Sequence, residues 1–264
     1  MNKILFTILF ILLLIIGRKR GVKTFFSFLF CIALIILYII LMRIGLNAII
    51  MAFIICILAS IISTFFLNGF SPKTVAAFIG VIIVQIITFI LIYIITKRAN
   101  IGCFAEESLD VIAAYDHSIG YNMSNVIIGV FLVSIVGTII DTAISVATSM
   151  NEVYENNPKI KEKELYQSGM SIGGDILSTT INTLFFALVS VFIGFFMWHR
   201  GMTWEQLVNY KIFANDMTRL LIAFIGSVMI IPVTALISSK LLLSNKAKII
   251  INNIKEKIIN LFKD

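Results

Sequence analysis

Val126-Ile-Ile-Gly-Val-Phe-Leu-Val-Ser-Ile-Val-Gly137-Thr-Ile-Ile-Asp141-Thr-Ala-Ile-Ser145-Val-Ala-Thr-Ser-Met150 settles the class of architecture. The stretch is 25 residues long, and a helix needs only about 20 predominantly apolar residues to cross the hydrocarbon of a bilayer. Its single ionisable side chain is Asp141. A carboxylate at the centre of a membrane helix costs roughly 3 kcal/mol on insertion scales, so such residues face a bundle interior or an aqueous cavity. The segment is thus read as a transmembrane helix, and Asp141 as its functional candidate.

Comparable runs recur on both sides: Ile4 to Ile16, Phe25 to Met42, Leu46 to Leu67, Val75 to Ile95, Ile176 to Trp198 and Leu220 to Ser239. They predict an all-α, polytopic bundle of about seven transmembrane helices, the first one short, with residues 1–264 forming one membrane domain and no soluble domain. Composition agrees. Hydrophobic residues make up 59% of the chain and charged ones 13%, against about 25% charged in soluble proteins, and the mean hydropathy is +1.03. The net charge of +7 does not signal nucleic acid, because the lysines cluster beside apolar segments, where orientation and anionic headgroups explain them. Cys31, Cys56 and Cys103 have no metal-ligand or disulfide spacing, and neither a metal site nor a cofactor is expected.

Residues 1–23 read as a signal-anchor helix followed by a basic loop, since Arg18-Lys-Arg20 follows the apolar run and no small-residue cleavage site does. With that loop inside, the cytoplasmic segments hold Arg18, Lys19, Arg20, Lys23, Lys73, Lys159, Lys161, Lys163 and the six lysines from Lys240 onward, 14 of the 21 basic residues. The positive-inside rule then gives an outside N-terminus and a cytoplasmic C-terminus in a cell membrane. Asn68-Gly-Phe-Ser-Pro-Lys73 reads as a turn between antiparallel neighbours. Residues 97–125 form an outer loop with a short surface helix around Glu106 to Tyr115. Residues 151–175 form a cytoplasmic loop, in which Asn157 and Pro158 start a helix over Lys159 to Gln167 that stops at Gly169. Residues 245–264, with Ile250, Ile254, Ile258 and Leu261 at near-helical spacing among lysines, form an amphipathic tail along the inner leaflet.

Counting by three and four from Asp141 gives Ser134, Gly137, Thr138, Ser145, Thr148 and Glu152 on one helix face. Ser171, Asp175, Ser178, Thr179 and Asn182 repeat the arrangement on the next span, beside a Gly169/Gly173 pair suited to close helix contact. Asp141 lies about 13 Å in from Met150, and Asn182 about 15 Å in from Ile172, so the two stripes meet at one depth. Asp141, Ser145, Asp175, Thr179 and Asn182 are the candidate pathway residues, with Pro232 as a helix kink. The same stripes are also what ordinary helix packing in lipid looks like. That alternative is weakest for Asp141, which packing alone would replace by Asn. Asp175 lies near its helix start, where a negative charge offsets the helix dipole.

No enzyme is expected. Tyr115-Asp116 and Gly173-Gly-Asp175 resemble fragments of an intramembrane aspartyl protease, but position 172 is Ile and Asp116 precedes the span. There is no P-loop, His/Glu metal motif or Gly-x-Ser-x-Gly.

From Gly137 onward four segments in order carry a family resemblance. They are Gly137-Thr-Ile-Ile-Asp-Thr-Ala-Ile-Ser145, Ser168-Gly-Met-Ser-Ile-Gly-Gly-Asp-Ile176, Thr180-Ile-Asn-Thr-Leu184, and Gly226 with Ile231-Pro-Val-Thr-Ala-Leu236; the earlier Gly69-Phe-Ser-Pro-Lys-Thr-Val-Ala-Ala-Phe-Ile-Gly80 joins them. The chain resembles the YibE/YibF-like family of multi-pass bacterial membrane proteins. The resemblance implies an all-helical inner-membrane protein, grouped loosely with permeases. Many relatives carry an extracytoplasmic domain after the first helix, whereas only residues 17–24 separate the first two spans here, so a separate partner chain supplying that domain is one expectation and a homo-oligomer another. Gly174 stands where the family pattern leads one to expect a basic residue, so no ion pair is carried over to Asp175. The expected function is a permease or permease subunit moving a small solute or ion, with Asp141 sensitive to a cation or proton. The alternative is a non-transporting accessory protein acting with a partner chain.

Overall fold

The computed structural model describes residues 2–98, 123–198 and 201–244, with residues 249, 251 and 253. The elements are α1 (Asn2–Arg43), α2 (Ala48–Ile61) widening into a π-helical turn over Ile62–Phe66, α3 (Pro72–Arg98), α4 (Met123–Asn156), α5 (Glu162–Trp198), the short α6 (Trp204–Asn209) and α7 (Lys211–Leu243). The all-α bundle expected from the sequence is what the chain adopts. Among the described residues six helices are long and apolar enough to cross a membrane, the first of them Arg20–Arg43.

The expected short first span is the N-terminal arm of α1. Arg18, at φ 45° and ψ −125°, breaks the helix, and the arm folds back on the remainder of α1: the rings of Phe6 and Phe10 lie 5.4 and 4.6 Å from that of Phe25. In a continuous helix Phe6 and Phe25 would stand about 28 Å apart. Gly21 permits the return, because a Cβ there would run into the Leu13 carbonyl.

Local chemistry sets the other starts. Asn47 caps α2, its side-chain oxygen accepting from the Ile49 amide at 3.1 Å. Before α3, Gly69 takes φ +71° and Pro72 fills the first helical position. The Thr74 hydroxyl accepts from the Ser71 amide and donates to the Gly69 carbonyl, both at 2.9 Å.

Helices α3, α4 and α7 pack on one another to form the centre of the bundle. Hydrocarbon is as apolar as leucine, so close van der Waals fit holds them. Gly226 lies 3.2 Å short of Ile139 and 3.3 Å short of Thr88 by its absent Cβ, and Gly80 seats against Thr234 and Ile230. The buried Ile92, Ile135, Ile139 and Ile230 fill the space between. Helices α1 and α5 sit at the margins; among the described residues α5 touches only α4 and α7. Only 12% of α5's most apolar stretch is buried, against 56% for α4, so α5 offers a broad open face.

The stretch 151–175, expected as a loop with its own helix, is mostly continuous helix. Helix α4 runs on to Asn156, and α5 begins at Glu162 and passes through Gly169 without a break. Only residues 157–161 turn. Glu164 supplies the cap, its carboxylate accepting from the Lys161 amide at 3.3 Å, so the helix starts after Pro158 and not at it. Gly169, expected to stop the helix, is instead a contact point within it, as is Gly173: a Cβ would strike Met150 at the first and Ile231 at the second. The outer-loop helix around Glu106 to Tyr115, Cys103, and most of the tail 245–264 lie outside the described residues.

Candidate functional site

The site is built on α4. Asp141 projects from the side of that helix facing away from the core, one turn from Gly137 and Thr138, while Ile139, Ile140 and Ala143 bury the opposite side. Helix α5 runs alongside and presents Thr179, Thr180 and Thr183. Together with Leu184 these residues enclose a half-open cleft of about 330 Å³ between α4 and α5. Gly137 keeps it open, since nothing lies within 4 Å of where its Cβ would be.

The hydrogen bonds determine what the cleft offers. Each of its α5 hydroxyls donates to its own helix: Thr179 to the Ile176 carbonyl at 2.8 Å, Thr180 to the same carbonyl at 2.9 Å, and Thr183 to the Thr179 carbonyl at 2.8 Å. With their protons committed, these oxygens turn lone pairs outward. Asp141 itself forms no hydrogen bond or ion pair among the described residues. No basic side chain lines the cleft among those residues. The lining is an array of oxygen acceptors around one carboxyl group, suited to a cation, a proton or a donor-bearing solute.

A second cavity of about 290 Å³ adjoins it, with Leu184 in the wall of both. Ser134 of α4 and Ala187 of α5 line it opposite Asp216 and Arg219 of α7, which form an ion pair at 3.1 Å. Arg219 stands two turns inside α7, which begins at Lys211. The pairing with Asp216 is not among the features that the sequence singles out; its signal is the i, i+3 spacing of opposite charges on a helix.

Of the five candidate pathway residues, Asp141 and Thr179 share the cleft. Ser145 lies one turn further along α4, half-buried and outside the lining. Asp175 and Asn182 are exposed on α5, beside the cleft and not in it. Pro232 lies inside α7, which stays helical across it, and lines neither cavity; its neighbour Ile231 packs against Gly173 of α5. Thr180 and Thr183, which lie off the face counted from the sequence, complete the cleft. Among the described residues no group of three or more His, Cys, Asp or Glu side chains could hold a metal ion.

The six long apolar helices among the described residues, packed on a glycine-fitted core with an acidic cleft between two of them, define a polytopic α-helical membrane protein. The chain belongs to the YibE/F-like protein family, whose sequence profile matches residues 5–244. No curated protein and no solved structure matches it.

Proposed function

We propose that the chain is a permease or permease subunit moving a small cation, or a small solute bearing hydrogen-bond donors, along the α4/α5 cleft. Asp141 is the cation- or proton-sensitive group and the threonine oxygens replace part of the solute's hydration. The observation that carries this reading is the lining itself: a carboxyl group and threonine oxygens whose own protons are donated along α5, with no basic side chain among the described lining residues. Leu184 separates the cleft from the cavity at Asp216 and Arg219 and acts as a constriction on the path. No bond of the solute is made or broken. The reading takes the chain to sit in the cytoplasmic membrane with its N-terminus outside and its C-terminus inside, supported by the asymmetry of lysine and arginine.

The test is flux into liposomes reconstituted with wild-type protein or with Asp141→Asn, under imposed proton gradients and with a panel of cations and small organic solutes. Flux present in the wild type and lost in a folded Asp141→Asn supports transport. Equal flux in both sinks the role of Asp141. A second reading, a non-transporting accessory protein, draws on the wide open face of α5. Silence from folded wild-type protein across the panel would favour it.

A further inference from the structure

At the end of the bundle where α5 begins and α7 ends, a third cavity of about 330 Å³ is lined by Glu162, Lys163, Tyr166, Leu236, Ser239 and Lys240. Gly173 of α5 packs on Ile231 of α7, and the two helices run antiparallel. Counting outward from that contact on both helices brings Lys163 level with Leu241, beside Lys240. Glu162 lies in the first turn of α5 and Lys240 in the last turn of α7. The 33 residues of α7 make a rod of about 50 Å, against about 40–45 Å for a bilayer with its headgroups, so these terminal turns lie at headgroup level. One turn deeper, Leu236 is 47% exposed and Tyr166 is half-buried. The cavity is therefore charged at the membrane surface and apolar below it.

Its donors are free. Among the described residues the side chains of Lys163, Lys240 and Tyr166 make no ion pair or hydrogen bond. Ser239 donates its proton to the Leu236 carbonyl at 2.9 Å, which leaves two ammonium groups and a phenol as the donors of the cavity. We infer that this cavity seats the headgroup of an anionic phospholipid: its phosphodiester lies between Lys163 and Lys240, the Tyr166 hydroxyl donates to it, and an acyl chain runs down over Leu236. Basic pockets between membrane helices hold anionic headgroups in this way. Charge selects a lipid over a free phosphate. Two lysines with Glu162 leave the lining at +1, which one phosphodiester neutralises, whereas a phosphate monoester brings about −1.5 to −2. The exposed Leu236 has a contact to offer an acyl chain and none to offer a free ion. Charge also selects among lipids, because a zwitterionic headgroup would set a third ammonium beside the two lysines. A glycerol headgroup instead brings hydroxyls that donate to the Glu162 carboxylate. The cavity shares no residue with the Asp141 cleft, and this site stands whether or not that cleft conducts.

The test titrates the full chain, stripped of native lipid in a non-ionic detergent, with phosphatidylglycerol or phosphatidylethanolamine, and counts bound lipid by native mass spectrometry. Phosphatidylglycerol should fill one saturable site at least about tenfold more tightly than phosphatidylethanolamine. Lys163→Gln and Lys240→Gln should each weaken it about fivefold, and the two together about 25-fold. A control pair, Lys23→Gln with Lys97→Gln, removes the same charge from lysines that are as exposed but line no cavity, and should change binding less than about twofold. Thermal unfolding of each variant reports whether it is folded, and the single variants carry the test if the double one is not. Equal binding of the two lipids, equal losses in the two double variants, or displacement of the lipid by millimolar inorganic phosphate would each overturn the inference.

Discussion

At the scale of single residues, the polar groups inside this bundle fall into two kinds. Most hydroxyls return their proton to the preceding turn, as Ser60 does to Cys56 at 2.7 Å and Ser227 to Ala223 at 2.9 Å, and so pass unnoticed in an apolar core. Gln85 cannot do this. It is 2% exposed on α3, and both ends of its amide lack a hydrogen-bond partner among the described residues. Leaving such a group unsatisfied costs about 1–3 kcal/mol, so Gln85→Leu should raise the stability of the detergent-solubilised protein by about 1 kcal/mol or more, read as an upward shift in thermal unfolding. A fall in stability would mean that the amide has a partner in the membrane. Asp141 is the opposite case, unpartnered among the described residues but at the open side of a cleft, and so Asp141→Asn should change flux and leave unfolding nearly unmoved.

At the scale of elements, adjacent glycines on α5 do different work. Gly173 is buried against Ile231, and a Cβ there would collide with that side chain, whereas Gly174 faces open space. Overpacking a fitted contact costs about 1–3 kcal/mol. Gly173→Ala should therefore destabilise the α5/α7 pair by that amount, and Gly174→Ala should leave the bundle intact, as thermal unfolding of each variant in detergent will register. Equal effects would mean that α5 is rotated from the arrangement described. This distinction was only half legible in the sequence. The Gly169/Gly173 spacing announced a close helix contact, but which helix it met, and that Gly174 met none, depends on the bundle.

At the scale of the whole molecule, the bundle has a packed centre of α3, α4 and α7 and two sparsely covered margins, α1 and α5. On the orientation proposed from the charge asymmetry, Cys103 should react with an impermeant thiol reagent added outside intact cells, while Cys31 is half-buried and Cys56 buried. Labelling only after lysis would invert the topology.

The helical class, the number and order of the spans to within the N-terminal arm, the family resemblance, and Asp141 as the residue to explain are all legible in the order of residues. Each of these rests on local or periodic properties, because every backbone group inside hydrocarbon must bond within its own helix, and a charge in an apolar run stands out without any knowledge of neighbours. Packing alone brings Asp141 into a cleft with Thr179, Thr180 and Thr183 while Ser145, Asp175 and Asn182 fall outside it. Packing also sets Asp216 and Arg219, paired, at the adjoining cavity, and makes residues 151–175 the continuation of two helices. A polar stripe marks one side of a helix, but the rotation and register of two helices against each other are fixed by how glycines and isoleucines fit across the interface. That fit is a property of pairs of distant residues, and a single chain read in order does not contain it.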